Sequence, residues 1–259
     1  IEQTMQHVLS QKLTAKEANI QGRNITIESA AGDGNLLGSH LNAAENLTLD
    51  VENFTATASV NTLKETSSAD SNTTTLTAEA PFSSLGATTR MATTGAIDLN
   101  HTQQQSQGNK NGKDYNYAGI RAQNIHLKVR GDMTLVGANA HAEQNVAGFV
   151  KGNVKVATLQ GSYQEKNTTH DTSIGLSLGK DLVSPHVGGG VTHSQTNSQA
   201  HSQLSSFTSG KQFNLAIDGT LTQIGAPVGS ETTGQAGIKA QGGIIKKDLL
   251  NQSHSSHTG

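Results

Sequence analysis

Apolar residues in this chain fall in short alternating runs. One reads Asn124-Ile125-His126-Leu127-Lys128-Val129, and another Gln212-Phe213-Asn214-Leu215-Ala216-Ile217. Every second residue is apolar, the period-2 signature of a strand with one buried face. The two segments stay in step beyond the strands, through Gly131/Gly219, Met133/Leu221, Val136/Ile224 and Gly137/Gly225. A third copy has Ile25 and Ile27, one extra residue, then Gly32-Asp33-Gly34-Asn35-Leu36-Leu37-Gly38-Ser39. Shorter relatives occur at Asn46-Leu47-Thr48-Leu49, Ala96-Ile97-Asp98-Leu99 and Asn153-Val154-Lys155-Val156. Leu47 follows Ile25 by 22 residues and Val154 follows Met133 by 21. Strands of four to six residues that end at Gly or Asn corners and recur about every 20 residues predict an all-β fold. Its expected form is a right-handed parallel β-helix, whose stacked turns ladder their inward side chains.

Polar stretches interrupt the pattern. The expected turn-forming segments are 13–53, 94–100, 119–161 and 210–229, and the excursions are 54–93, 101–118, 162–209 and 230–259. In Thr192-His193-Ser194-Gln195-Thr196-Asn197-Ser198-Gln199 larger polar residues alternate with small ones, which is strand periodicity with no core to face. Residues 162–209 therefore read as a long hairpin. Tyr163 to Leu178 form one side, with a turn near Pro185 and Gly188-Gly189-Gly190. The first dozen residues read as the returning arm of an earlier hairpin.

Composition sharpens this picture. Of 259 residues, 33% are hydrophobic and 3% aromatic, and there is no Trp. Large side chains that would fill a thick globular core are lacking, whereas a thin solenoid core of Ile, Leu, Val and Ala needs none. Disorder is disfavoured by a net charge of only −2 and three prolines. The same near-neutral balance gives no reason to expect nucleic acid as a partner. Without cysteine there is no disulfide framework and no thiolate metal site. No apolar run approaches the ~20 residues of a membrane helix. The chain starts at Ile1 without a signal-peptide pattern, so it reads as a piece of a longer one.

The segment Gly38-Ser39-His40-Leu41-Asn42-Ala43-Ala44-Glu45-Asn46-Leu47-Thr48-Leu49 resembles the core motif of filamentous haemagglutinin repeats. So does the stretch from Leu135-Val136-Gly137-Ala138 to Gly152-Asn153-Val154-Lys155-Val156. The family comprises the secreted partners of two-partner secretion systems: adhesins, haemolysins and contact-dependent growth inhibition proteins. The resemblance covers essentially the whole chain, and Leu135 to Ile224 is most like the repeat region near the carboxy-terminal third of growth-inhibition exoproteins, which implies a role in carrying a toxin domain. It implies a non-catalytic segment on the bacterial cell surface, serving adhesion or toxin delivery. Its partners would be an outer-membrane transporter during secretion, the receptor or envelope of a target or host cell, and neighbouring repeats of the same chain.

Candidate sites are few. Arg130-Gly131-Asp132 is a tripeptide that some adhesins present to integrins, though Gly-Asp recurs at Gly32-Asp33, and the motif sits between two strands rather than at a loop tip. Gly131, Gly137, Gly219 and Gly225 read as structural corners. His193 and His201 are eight residues apart, ~26 Å along a strand, too far to share an ion, so no metal or cofactor is expected. Asn24, Asn46, Asn53, Asn72 and Asn167 head Asn-X-Ser/Thr triplets, but Asn also suits corners. A polysaccharide-active β-helical enzyme is the alternative reading. It would need clustered carboxylates on one face, and the 20 acidic residues here are scattered. No catalytic residue is assigned.

Overall fold

The computed structural model describes residues 2–14, 17–78, 97–178, 183–200 and 203–258. Among these, every regular element is a strand. After β1 (Glu2–Leu13) come two rungs: β2 (Asn19–Glu28) with β3 (Gly34–Leu37), and β4 (His40–Val51) with β5 (Phe54–Thr57). A hairpin pair follows, β6 (Ser59–Ala78) and β7 (Ile97–Asn116). Two further rungs are β8 (Ala118–Val129) with β9 (Met133–Val136), and β10 (Ala138–Val150) with β11 (Val154–Ala157). A second hairpin pair is β12 (Gly161–Leu178) and β13 (Val183–Ala200). The fifth rung contains β14 (Ser206–Ser209), β15 (Gln212–Ile217) and β16 (Leu221–Ile224). The sixth contains β17 (Val228–Ser230), β18 (Ile238–Ala240) and β19 (Ile244–Lys247), after which β20 (Gln252–Thr258) closes the chain's described part.

These strands build three sheets. Two are parallel: β2-β4-β8-β10 continued by β14, β15, β17 and β18, and β3-β5-β9-β11-β16-β19. The third is antiparallel, in the order β1-β6-β7-β12-β13-β20. Register in the parallel sheets follows the sequence repeat. Ile25 pairs with Leu47, Leu47 with Ile125, Ile125 with Val146, and Val146 with Phe213. In the other sheet Phe54 pairs with Met133, Met133 with Val154, and Val154 with Leu221. The inward residues of both sheets meet in one core that runs the length of the stack, with Leu47, Ile125, Val146, Phe213, Phe54, Met133, Val154 and Leu221 all essentially buried. Phe207 and Phe213 meet edge to face at 4.8 Å between centroids, the preferred aromatic geometry.

Polar side chains also stack. Asn46 donates from Nδ2 to Asn24 Oδ1 (2.9 Å), Asn124 to Asn46 (3.2 Å) and Asn145 to Asn124 (3.0 Å). At the opposite corner Asp33, Asn53, Asp132, Asn153 and Thr220 form a second ladder. There the backbone N–H of Asn53, Asp132, Asn153 and Thr220 each donates to the side chain one rung below, at 2.6–3.1 Å. Corner amides left over by the strand ladders thus find acceptors within the stack.

Several expected boundaries shift. Phe54–Thr57 and Ser206–Ser209 are rung strands rather than parts of excursions, because a four-residue strand needs only two inward residues, here Phe54 with Ala56 and Phe207 with Ser209. Excursions 54–93 and 101–118 are largely two sides of one hairpin, with Ser59 opposite Asn116 and Ala78 opposite Ile97. Ile97-Asp98-Leu99, read as part of a turn-forming segment, opens β7 in the antiparallel sheet. Residues 230–259 divide between the sixth rung and β20. Pro185 and Gly188–Gly190 lie inside β13, not at a turn. Beyond His193 toward its start β13 has a neighbour on one side only, and sheet edges are where proline is accommodated within strands.

Candidate functional site

The antiparallel sheet is the part of the molecule most available to a partner. Its central strands run 18–20 residues, ~60 Å of extended chain, and most of their side chains are exposed or half-exposed on both faces. We call it the arm. Its two hairpins are rooted in the rung stack by buried polar contacts. Tyr117, at the foot of β7, donates to the Leu159 carbonyl at 2.9 Å and accepts the Leu159 N–H at 2.9 Å. Burial pushes the Tyr117 phenol above its ordinary pKa, so it remains a donor. Ser205, after β13, is buried; its hydroxyl donates to the Ala157 carbonyl at 2.6 Å and accepts the Gly137 N–H at 3.0 Å. The sequence marks this base faintly: Tyr115, Tyr117 and Tyr163 are the chain's three tyrosines.

Near its base one arm face carries a charged cluster. Glu65 faces Lys110 at 3.4 Å, and the Glu165 carboxylate accepts from Tyr163 (2.8 Å) and Asn167 (3.0 Å). The bonds from Asn167 and Tyr163 hold Glu165 below the usual carboxylate range, while the Glu65 charge raises Lys110. These are satisfied cross-strand pairs. Between arm and stack lies an open groove of about 720 Å³ lined by Glu17, His40, Tyr115, Arg121, His141 and Glu231 among others. His40 contacts Glu17 at 3.1 Å, and His141 contacts Thr208 at 2.9 Å. No group of three metal-ligating side chains forms among the described residues. His193 pairs with Thr168 and His170 with Val191 across β12 and β13; His201 lies outside the described residues.

The Arg130-Gly131-Asp132 tripeptide sits within the stack. Arg130 donates to Asp50, to Glu52 (3.3 Å) and to the Ser29 carbonyl, and Lys128 reaches Asp50 at 2.8 Å. Hydrogen bonds from Lys128 and Arg130 lower the Asp50 pKa, and the Asp50 bond raises that of Arg130. Asp132 Oδ1 accepts the Asn153 N–H at 2.6 Å. A Cβ on Gly131 would lie 2.2 Å from Asn53 Oδ1, and one on Gly219 2.6 Å from Asn153 Oδ1. A partner reaching for this tripeptide would compete with bonds that join successive rungs. Gly137 and Gly225 turn their corners at φ of 65° and 53°, the left-handed region where glycine is preferred. Asn24, Asn46 and Asn53 are members of the polar ladders, whereas Asn72 and Asn167 lie on the arm.

Parallel rungs at a 21–22-residue repeat, with long polar hairpins gathered into one projecting sheet, define a structural repeat protein. A family model described as hemagglutinin repeat matches residues 2–170. The chain belongs to this family, whose repeats are structural segments of large secreted, adhesin-type proteins. Comparison with curated proteins and with solved structures found no match.

Proposed function

We propose that this chain is one section of a right-handed parallel β-helix in a large bacterial surface protein, and that its work is presentation rather than catalysis. The rungs supply a stiff spacer, stacked on neighbouring repeats of the same protein. The arm supplies the contact surface for a target or host cell, in adhesion or in contact-dependent toxin delivery. Secretion would pass through an outer-membrane transporter, as the two-partner relationship implies. The observation that carries this reading is the arm itself: just over half the described strand residues lie in a sheet with no core of its own. A sheet exposed on both faces gains little from burial, so its length points to reach.

The test is removal of residues 162–199, which joins Gly161 to Ala200, neighbours across the hairpin foot. The shortened chain is expected to keep its rungs, read as slow deuterium exchange in 125–135 and 213–224, and to lose retention on target cells. Equal retention of the shortened and full chains overturns the proposal.

A further inference from the structure

In the distal third of the arm the apolar residues are gathered on one face. Opposite residues in an antiparallel sheet share a face, as do positions two apart. Leu76, Leu99, Leu176 and Pro185 form one cross-strand row. The next row toward the tip includes Leu178 and Val183, and the row below includes Ile174 and Val187. On the reverse face the matching rows are polar or small: Thr75, Asn100, Gly175 and His186, then Thr77, Asp98, Ser177 and Ser184. Elsewhere on the arm exposed apolar residues such as Met5, Val8, Leu9 and Leu13 lie along β1, at the sheet's edge, rather than in rows that cross several strands. Leu76, Leu99, Ile174, Leu178, Val183 and Val187 are 37–77% exposed, so no described part of the chain covers them.

We infer that this face is a self-association surface, on which a second copy of the chain lays the same face across a two-fold axis. Three observations select a second copy. First, the apolar rows contain no Asp, Glu, Lys or Arg; their one titratable side chain, His101, lies in the Ile174 row and is hydrogen-bonded to Thr74, so juxtaposing the patch with itself sets no carboxylate, ammonium or guanidinium against its like. Second, the patch is made mostly of Leu, Ile and Val, the side chains that fill the ~10 Å layer between packed sheets. Its rows hold no Trp, Tyr, Lys or Arg, the residues that anchor a surface at a lipid headgroup layer. Third, its exposed area is on the order of 600 Å², at the upper end of the largest apolar patch on a typical monomer and approaching the ~800 Å² each partner gives to a standard interface. Further arms added along the stack would extend the sheet at its edges, β1 and β20, and would leave this face open. The pairing therefore joins stacks side by side through their arm tips.

Sedimentation velocity on the full 259-residue chain tests it. The wild type is expected to shift from monomer to dimer between about 1 and 100 μM. Leu76→Lys with Val187→Lys introduces charges on exposed positions and is expected to weaken dimerisation at least about tenfold with an unchanged circular dichroism spectrum. Thr77→Lys with Ser184→Lys, on the reverse face of the same strands, is expected to leave it unchanged. A wild-type monomer at 100 μM overturns the inference, as does a control pair that weakens the dimer as much as the first pair. So does a chain that stays monomeric and instead binds phosphatidylcholine vesicles through Leu76 and Val187, since the occupant would then be a bilayer.

Discussion

The rungs and the arm are built from strands of the same local character, yet they are held together differently. In the rungs alternation separates Ile, Leu, Val and Phe inward from polar residues outward, and the parallel ladder stacks the inward ones into a continuous core. In the arm alternation mostly separates one polar residue from another, so the sheet depends on backbone hydrogen bonds and cross-strand pairs such as Thr168 with His193 and Gln164 with Asn197. Alternation alone thus says that a segment is a strand. What alternates decides whether the strand is part of a core or part of a surface.

Substitutions should separate the two regions by size of effect. Phe213→Ala, which empties a buried site beside Phe207, is expected to destabilise the stack by about 3–5 kcal/mol, read by urea denaturation. Gly137→Ala places a methyl 2.6 Å from Ala58 Cβ at a φ of 65°; a loss of about 2–4 kcal/mol is expected. Asn124→Ala removes the acceptor of Asn145 and the donor to Asn46, a loss of about 1 kcal/mol. On the arm, Gln105→Ala should change stability by no more than about 0.5 kcal/mol. An arm substitution as costly as Phe213→Ala would mean that the arm carries a core.

Acid offers a finer comparison. The Asp50 pKa is lowered by Lys128 and Arg130, so the folded state binds its proton less readily than the unfolded chain. Its contribution is then full above the ordinary aspartate value of about 3.9 and fades as pH falls through the lower folded value. Denaturation midpoints of the wild type should fall more steeply below pH 4 than those of Asp50→Asn. Parallel curves would show that the bridge adds nothing.

Much of the stack was legible in the sequence because its inward residues are apolar and recur at a fixed interval. Ile25 and Leu47, 22 apart, are indeed register partners, as are Met133 and Val154 at 21. The four-residue rung strands at Phe54 and Phe207 were harder to see, since two inward residues make no periodic run. The arm's pairing of β7 with β12 was not legible at all. Rows such as Ser106–Thr169 and Gln104–Asp171 carry no apolar pattern to set a register, and only the rows near the tip, such as Leu99–Leu176, do. The distal apolar rows were present in the sequence as Ile97-Asp98-Leu99 and Ser173-Ile174-Gly175-Leu176-Ser177-Leu178, but only pairing shows that they share one face.

The two hairpins also divide the folding problem. Most neighbouring rungs meet across a sequence separation near 21, as Asn145 and Asn124 do. Across the first hairpin Lys128 and Asp50 are 78 residues apart, and across the second Ser206 and Asn139 are 67 apart. Closing the longer loops costs roughly 1 kcal/mol more in chain entropy, and non-local contacts of this kind slow folding. Rung docking should therefore pause at these two seams, the first of which is bridged by Lys128, Arg130, Asp50 and Glu52. Once formed, those charged contacts tie the rungs on either side of the first seam together.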